Sequence, residues 1–373
     1  MSKQGILLFF CATFLSILGI FILYESSTYT ALLSLSDKYY FVRNQAIWFI
    51  LGLVALMVVS RIDYKLYYRF AFPMLVVSLC MLVLVFFPGI GLSLQGAHRW
   101  LNFGFIVVQP SEILKITLTI YLAAWLTTHE KSKFMAFILL LGLSAFLVLI
   151  EPDMGTSFII AATATGVYFL SGAPIRDLVI IGVLLVVGCF ALVKLEPYRV
   201  ARLTAFQNFD AKDLSKTSYH VKQILISLGS GGLTGVGFGN SVQKYAYLPE
   251  STTDSIFAIF AEEAGFFGAT ILIIFFAIFS SLGFIIAQQA RDVFGKLLAA
   301  GIITFLGIQA FVNLASQVVL IPLTGVPLPF ISYGGSSLII NLVSVGVLLN
   351  ISRFEGKKVA KVNLRKNREV RRK

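Results

Sequence analysis

From Gly5 to Tyr24 the chain runs without a charged residue, and comparably apolar runs recur along its length, Phe137 to Ile150 among them. About 20 apolar residues in a helix span the hydrocarbon core of a bilayer. A water-soluble globule is therefore excluded, because it has no way to cover so many such runs. Composition agrees: 58% of the 373 residues are hydrophobic and 13% charged, roughly half the charge of an ordinary soluble protein. The runs are apolar on every face rather than alternating, which argues against a transmembrane β-barrel. The expected class is an all-α polytopic membrane protein.

Hydropathy and punctuation place about ten spans, near 5–24, 45–60, 72–88, 110–126, 134–150, 155–171, 176–193, 256–287, 297–320 and 335–352. The second is short unless it reaches back through Tyr40. The eighth is too long and carries Glu262 and Glu263 near its start, so it is expected to begin as a partly buried helix outside the core. An even number of spans puts both termini on one side. Connections on the N-terminal side carry Lys3, Arg61, Lys65, Arg69, Lys131, Lys133, Arg176, Arg291 and Lys296, against Lys38, Arg43 and Arg99 opposite. That asymmetry makes the N-terminal side cytoplasmic. The first run ends at Tyr24-Glu25 without a small-residue cleavage site and reads as a retained helix.

Two units are expected: a membrane domain over 1–352, with a large extracytoplasmic loop over 194–255 between helices 7 and 8, and a basic cytoplasmic tail over 353–373. Ten Lys or Arg stand in that tail against Glu355 and Glu369. Such a run most often lies on the anionic inner leaflet, and without an aromatic platform it gives no support for nucleic acid as a partner. Cys11, Cys80 and Cys189 each lie inside an apolar run, with no spacing for a metal cluster or a disulfide framework.

Loops as long as the outer one are uncommon without a function. Within it, Tyr219 to Leu228 has helical apolar spacing, and the glycines from Gly229 to Gly239 predict a tight turn after a short interfacial helix. The loop ends in Leu248-Pro249-Glu250-Ser251-Thr252-Thr253-Asp254, directly ahead of the eighth span. A partly desolvated carboxylate there can act as a general base; the competing reading of Asp254 is a helix N-cap.

Other outer residues carry similar alternatives. Arg99 offers a planar fork of donors for a phosphate and Trp100 suits the membrane interface, or the two are a surface arginine beside a belt anchor. Glu112 and Lys115 share a helix face in the fourth span, where a buried pair either braces the bundle or lines a cavity. Glu151-Pro152-Asp153 is an acidic turn that either helps hold a divalent cation through Asp153 or caps the sixth span. Pro329-Phe330-Ile331-Ser332-Tyr333-Gly334-Gly335-Ser336 interleaves rigid and permissive residues, as a wall of a polar groove would.

Taken in order, Gly96-Ala97-His98-Arg99-Trp100, Gln109-Pro110-Ser111-Glu112, Pro152-Asp153-Met154-Gly155-Thr156, Leu248 to Asp254 and Pro329 to Ser336 resemble the motifs of the SEDS family of shape, elongation, division and sporulation proteins. Gly239 to Lys244 followed by Tyr247 to Glu250 looks more like its division-associated FtsW branch than its RodA branch. The resemblance implies an inner-membrane peptidoglycan glycosyltransferase that polymerises lipid II, passes through undecaprenyl-pyrophosphate-linked glycan, and works with a class B penicillin-binding protein. It implies a catalytic Asp254, and substrate contacts from Arg99, Trp100, Gln243, Lys244, Glu250, Ser332 and Tyr333. Mg or Mn is the cation such a site would take. The chain departs from the family pattern at Thr252, where a histidine is common, and at Ser255, where a phenylalanine is. His98 stands for a common arginine and Glu151 for a common glutamine. A flippase or transporter of lipid-linked precursor is the rival class, but no clear inverted repeat is visible and the polar groups gather at the outer face rather than the midplane.

Overall fold

The computed structural model of the chain describes residues 2–94, 97–104, 107–128, 133–195, 200, 202–204, 206, 216–245 and 247–370. Its main helices are α1 (Lys3–Leu35), α2 (Tyr40–Val59), α3 (Lys65–Leu84), α4 (Pro110–Leu126), α5 (Phe134–Ile150), α6 (Met154–Leu170), α7 (Ile175–Leu195), α8 (Lys216–Gly231), α9 (Ile256–Gln289), α10 (Val293–Gln317) and α11 (Gly335–Val370). By length and composition seven of these can cross a membrane: α1, α2, α3, α7, α9, α10 and the Gly335–Phe354 part of α11. The apolar helices α5 and α6 have 17 residues each. The helical membrane class is as expected. To it the structure adds a small antiparallel sheet in the connection before α4, with β1 (Gly91–Leu94), β2 (Ala97–Asn102) and β3 (Val107–Val108) in that order.

Several boundaries differ from the hydropathy reading. The first helix does not stop near Tyr24 but continues to Leu35, with two of the hydroxyls that follow Tyr24 bonded back within it and Glu25 paired with Lys244. Ser26 Oγ donates to Leu23 O at 3.3 Å and Thr28 Oγ1 to Tyr24 O, the back-bonding that lets hydroxyl residues ride inside a helix. The third helix begins at Lys65 rather than 72, after Asp63 Oδ1 accepts the Lys65 N–H at 3.0 Å, and it carries Pro73 internally. Beyond residue 352 the last helix runs on to Val370 without a break, in sequence rich in Lys and Arg, which favour helix.

In lipid, helices are held by close packing more than by burial from water, so small residues mark the contacts. On α2 a Cβ at Gly52 would meet Leu342 Cδ1 at 2.6 Å, and on α11 a Cβ at Gly346 would meet Leu56 O at 2.8 Å. The two helices therefore approach through reciprocal glycines. A central cluster of buried apolar residues joins α1, α9, α10 and α11, and a second joins α3 to α6. Helix α7 touches chiefly α6. The over-long α9 is two helices joined across a kink at Gly265, with φ 69°. Over that break lies the glycine turn after α8: Val236 N–H donates to Glu262 O at 3.0 Å and Phe266 N–H to Gly232 O at 3.0 Å.

Candidate active site at the Asp254 turn

Residues 252 to 255 form the turn into α9, and three parts of the fold hold them: the connection before α11, α10 and α8. Tyr333 N–H donates to Thr252 O at 3.0 Å, and Ser332 Oγ donates to Thr253 O at 2.6 Å. Asn313 Nδ2, on α10, donates to Asp254 O at 3.0 Å and to Val326 O at 2.8 Å. Ser255 N–H donates to Glu250 O at 3.0 Å, and Ser255 Oγ lies 2.7 Å from His220 Nε2 on α8. Gln45, on α2, steadies the wall in turn by donating from Nε2 to Ser332 O at 3.1 Å. Ser332 and Tyr333 thus fix the two carbonyls just ahead of Asp254 through a hydroxyl and an N–H.

The Asp254 carboxylate accepts no hydrogen bond from any described residue, and the N-cap position of α9 is Ser255, without a side-chain cap. The capping alternative falls on that geometry. Burial pushes the carboxyl up to about 7; the neighbouring Glu250 adds to the rise, Arg202 opposes it, and Asp153 and Arg99 act in smaller, opposite senses. A group so placed can take or give a proton near neutral pH. Arg202 stands beside it: a Cβ at Gly325 (φ 73°) would lie 3.4 Å from Asp254 Oδ2 and 3.9 Å from Arg202 Nη2. Arg202 also donates from Nη1 to Leu323 O at 3.0 Å.

Arg99, on β2, reaches the α5–α6 turn, donating from Nε to Glu151 O at 2.8 Å and from Nη2 to Pro152 O. Trp100 pairs across the sheet with Leu92. Asp153 caps α6, accepting Thr156 N–H at 2.9 Å and Thr156 Oγ1 at 2.8 Å, with Gln109 Nε2 at 3.5 Å. Glu151 is fully buried, and neither carboxylate oxygen has a partner among the described residues. Its carboxyl is pushed up to about 9 by burial first and Asp153 second, with Arg99 opposing.

Among the described residues Glu250, Val319 and Phe330 have positive φ and stand on the connections around this turn. Such backbone costs energy and collects where geometry is over-determined for function.

Four other sequence candidates lie in two different settings. Lys244 is buried between Glu263 Oε1 at 3.2 Å and Glu25 Oε2 at 3.4 Å, so its charge is already compensated. Gln243 beside it is buried and its Oε1 has no partner among the described residues. Lys115 and Glu112 pair at 2.8 Å as expected, and Lys115 Nζ also donates to Gln309 Oε1 at 2.6 Å. Gln309 Nε2 then donates to Pro327 O at 3.0 Å. The pair therefore braces the α10–α11 connection that walls the site.

Among the described residues the side chains here do not make a resident metal centre. No three His, Cys, Asp or Glu side chains among the described residues come together as ligands, and both Asp153 oxygens are engaged by the α6 cap. Sequence reading missed Arg202, His220, Asn313 and Gly325. Only Asn313 carried a visible signal, a polar side chain inside the apolar run 297–320.

A helical membrane bundle with a half-buried carboxylate, unbonded by the described residues and near two arginines, fits a membrane-embedded enzyme better than a carrier with a midplane site. The FtsW/RodA/SpoVE family, described as cell cycle proteins, matches residues 6–357, and the chain belongs to it. It is 36% identical to stage V sporulation protein E of Bacillus subtilis, over 95% of this chain and 98% of that protein. To a probable peptidoglycan glycosyltransferase FtsW of Geobacter metallireducens it is 37% identical, over 95% and 96%. Among solved structures it resembles a chain of a peptidoglycan synthase complex that coordinates polymerization and crosslinking, at TM-score 0.76 and 25% identity, covering 93% of this chain and 97% of that one. The rod shape determining protein RodA of Thermus thermophilus follows at TM-score 0.68 and 26% identity, covering 93% and 95%.

Proposed function

We propose that the chain is a peptidoglycan glycosyltransferase that polymerises lipid II into glycan strands at the outer face of the bacterial inner membrane, with both termini in the cytoplasm. The donor sugar is α-linked to undecaprenyl pyrophosphate, and a β-linked product requires direct attack by the acceptor 4-hydroxyl at the anomeric carbon. The new C–O bond forms as the bond to pyrophosphate breaks. Asp254 takes the hydroxyl proton, and Arg99 and Arg202 offset charge on the departing pyrophosphate. Trp100 and Glu250 are the proposed contacts with the lipid-linked sugars, whereas Ser332 and Tyr333 act through the backbone they hold. The product's lipid then moves into the donor position for the next cycle. The solved relative in a peptidoglycan synthase complex supports a class B penicillin-binding protein as the partner that crosslinks the strand.

One observation carries this reading: the Asp254 backbone is tied from several sides while its carboxylate, raised to about 7, is left unbonded by the described residues. Purified protein given lipid II tests it. Polymerisation should rise with pH up to about 7 and then level, because only the ionised carboxylate is a base. Asp254→Asn should abolish it with thermal stability nearly unchanged. Polymerisation by Asp254→Asn at the wild-type rate would overturn the assignment, and lipid II flipping without polymer would turn the reading to transport.

A further inference from the structure

Ser255 follows the proposed base directly and is fully buried. Its hydroxyl lies 2.7 Å from His220 Nε2, and a histidine on a hydroxyl is the pairing of a nucleophile with its base. Burial rules that role out, since an oxygen with no solvent exposure cannot reach a sugar carbon. What remains is geometry. The backbone carbonyls of Thr252, Thr253 and Asp254 are all held by α10 and the connection before α11, through Tyr333, Ser332 and Asn313. His220 comes instead from α8, in the long loop, and holds the turn at the next residue. Burial pushes its imidazole down to about 4, with Glu250 opposing and Arg202 assisting. At neutral pH it is therefore an uncharged hydrogen-bond partner.

We propose that His220 is a positioning residue for sugar transfer: through Ser255 it fixes the direction in which the Asp254 carboxylate faces the acceptor hydroxyl. The inference rests on Asp254 as the base. Small misplacements of a reacting group cost up to about a hundredfold in rate, so loss of this contact should act on turnover rather than on substrate binding.

Polymerisation kinetics of the purified full chain, with thermal unfolding alongside, test it. His220→Ala should lower kcat roughly tenfold with KM within about twofold. His220→Gln, whose amide nitrogen can stand near the Nε2 position, should restore most of the loss. Ser255→Ala should match His220→Ala, and the double variant should be no worse than either, since both remove one contact. Should His220→Ala fail to fold, Ser255→Ala deletes a single oxygen and carries the test alone. Wild-type kcat in Ser255→Ala, or additive losses in the double variant, would overturn the proposal. Full activity in Asp254→Asn would instead overturn the reading beneath it.

Discussion

Two sets of acids stand near the start of α9, Glu262 and Glu263 within it and Asp254 just ahead of it, and the fold treats them in opposite ways. Around Glu262 and Glu263 it supplies donors to the side chains. Glu263 Oε1 accepts Gly239 N–H at 3.2 Å, Ser241 N–H at 3.4 Å and the Lys244 ammonium at 3.2 Å. Glu262 accepts both Ser241 Oγ and Ser230 Oγ, and Val242 N–H at 3.3 Å. At the Asp254 turn the donors go to the backbone, and the described residues leave the carboxylate bare. Donors around a carboxylate hold it in place; one whose flanking backbone is held while the described residues leave its oxygens without donors stays open to an incoming hydroxyl. The first arrangement locks the glycine turn onto the break in α9, and the second presents a base.

The largest contrast should come from equal changes at the two places. Asp254→Asn should cut polymerisation by about 10²–10⁴-fold, the usual contribution of a general base, and shift the unfolding midpoint little, because no described donor is lost. Glu263→Gln should do the reverse, lowering stability while leaving kcat of the folded fraction near wild type. Equal kcat losses in both variants would break the distinction between a wrapped and a bare acid.

Next in size is Lys244, a substrate contact by the family resemblance but found between Glu25 and Glu263 with 10% of its side chain exposed. Lys244→Met keeps the aliphatic stem and strands two acids, so stability should fall by about 3–5 kcal/mol, as when one partner of a buried pair is removed. KM for lipid II should stay within about twofold if the ammonium is structural. A large rise in KM at unchanged stability would return Lys244 to the substrate.

Why the sequence spoke clearly about some of this and not the rest follows from the range of the interactions. Apolar runs are local, so the membrane class, α8 and the glycine turn were all readable. Asp254 was readable as a cap or a base but not as one of them, because the deciding contacts come from Asn313, Ser332, Tyr333 and His220. Lys244 was readable as a cation, while Glu25 that binds it lies 219 positions away. The end of α1 was misplaced because hydroxyls that bond back within a helix look, in sequence, like the start of a loop. Arg202 sits in the loop where function was expected, yet nothing near it in sequence marks the approach to Gly325 that brings it beside Asp254.

Glu151 supplies the subtlest test of the contrast, because it is a third buried acid without donors among the described residues, and it is not positioned as a base. With its carboxyl raised from 4.5 to about 9, the folded chain holds a proton there that the unfolded chain releases. Between those two values the folded state binds more protons, so this group's contribution to stability is complete below about 4.5 and is lost as pH rises toward about 9. Glu151→Gln removes the titration and keeps the shape. Its stability relative to wild type should therefore grow with pH, by at most about 1.4 kcal/mol per pH unit between pH 7 and 8, while polymerisation at pH 7 stays close to wild type. Unfolding midpoints of the two proteins measured in parallel across that range would show the gap widening. A constant gap would mean that Glu151 is ionised in the fold, and that an acid without visible donors is not thereby kept protonated, which would weaken the same inference for Asp254.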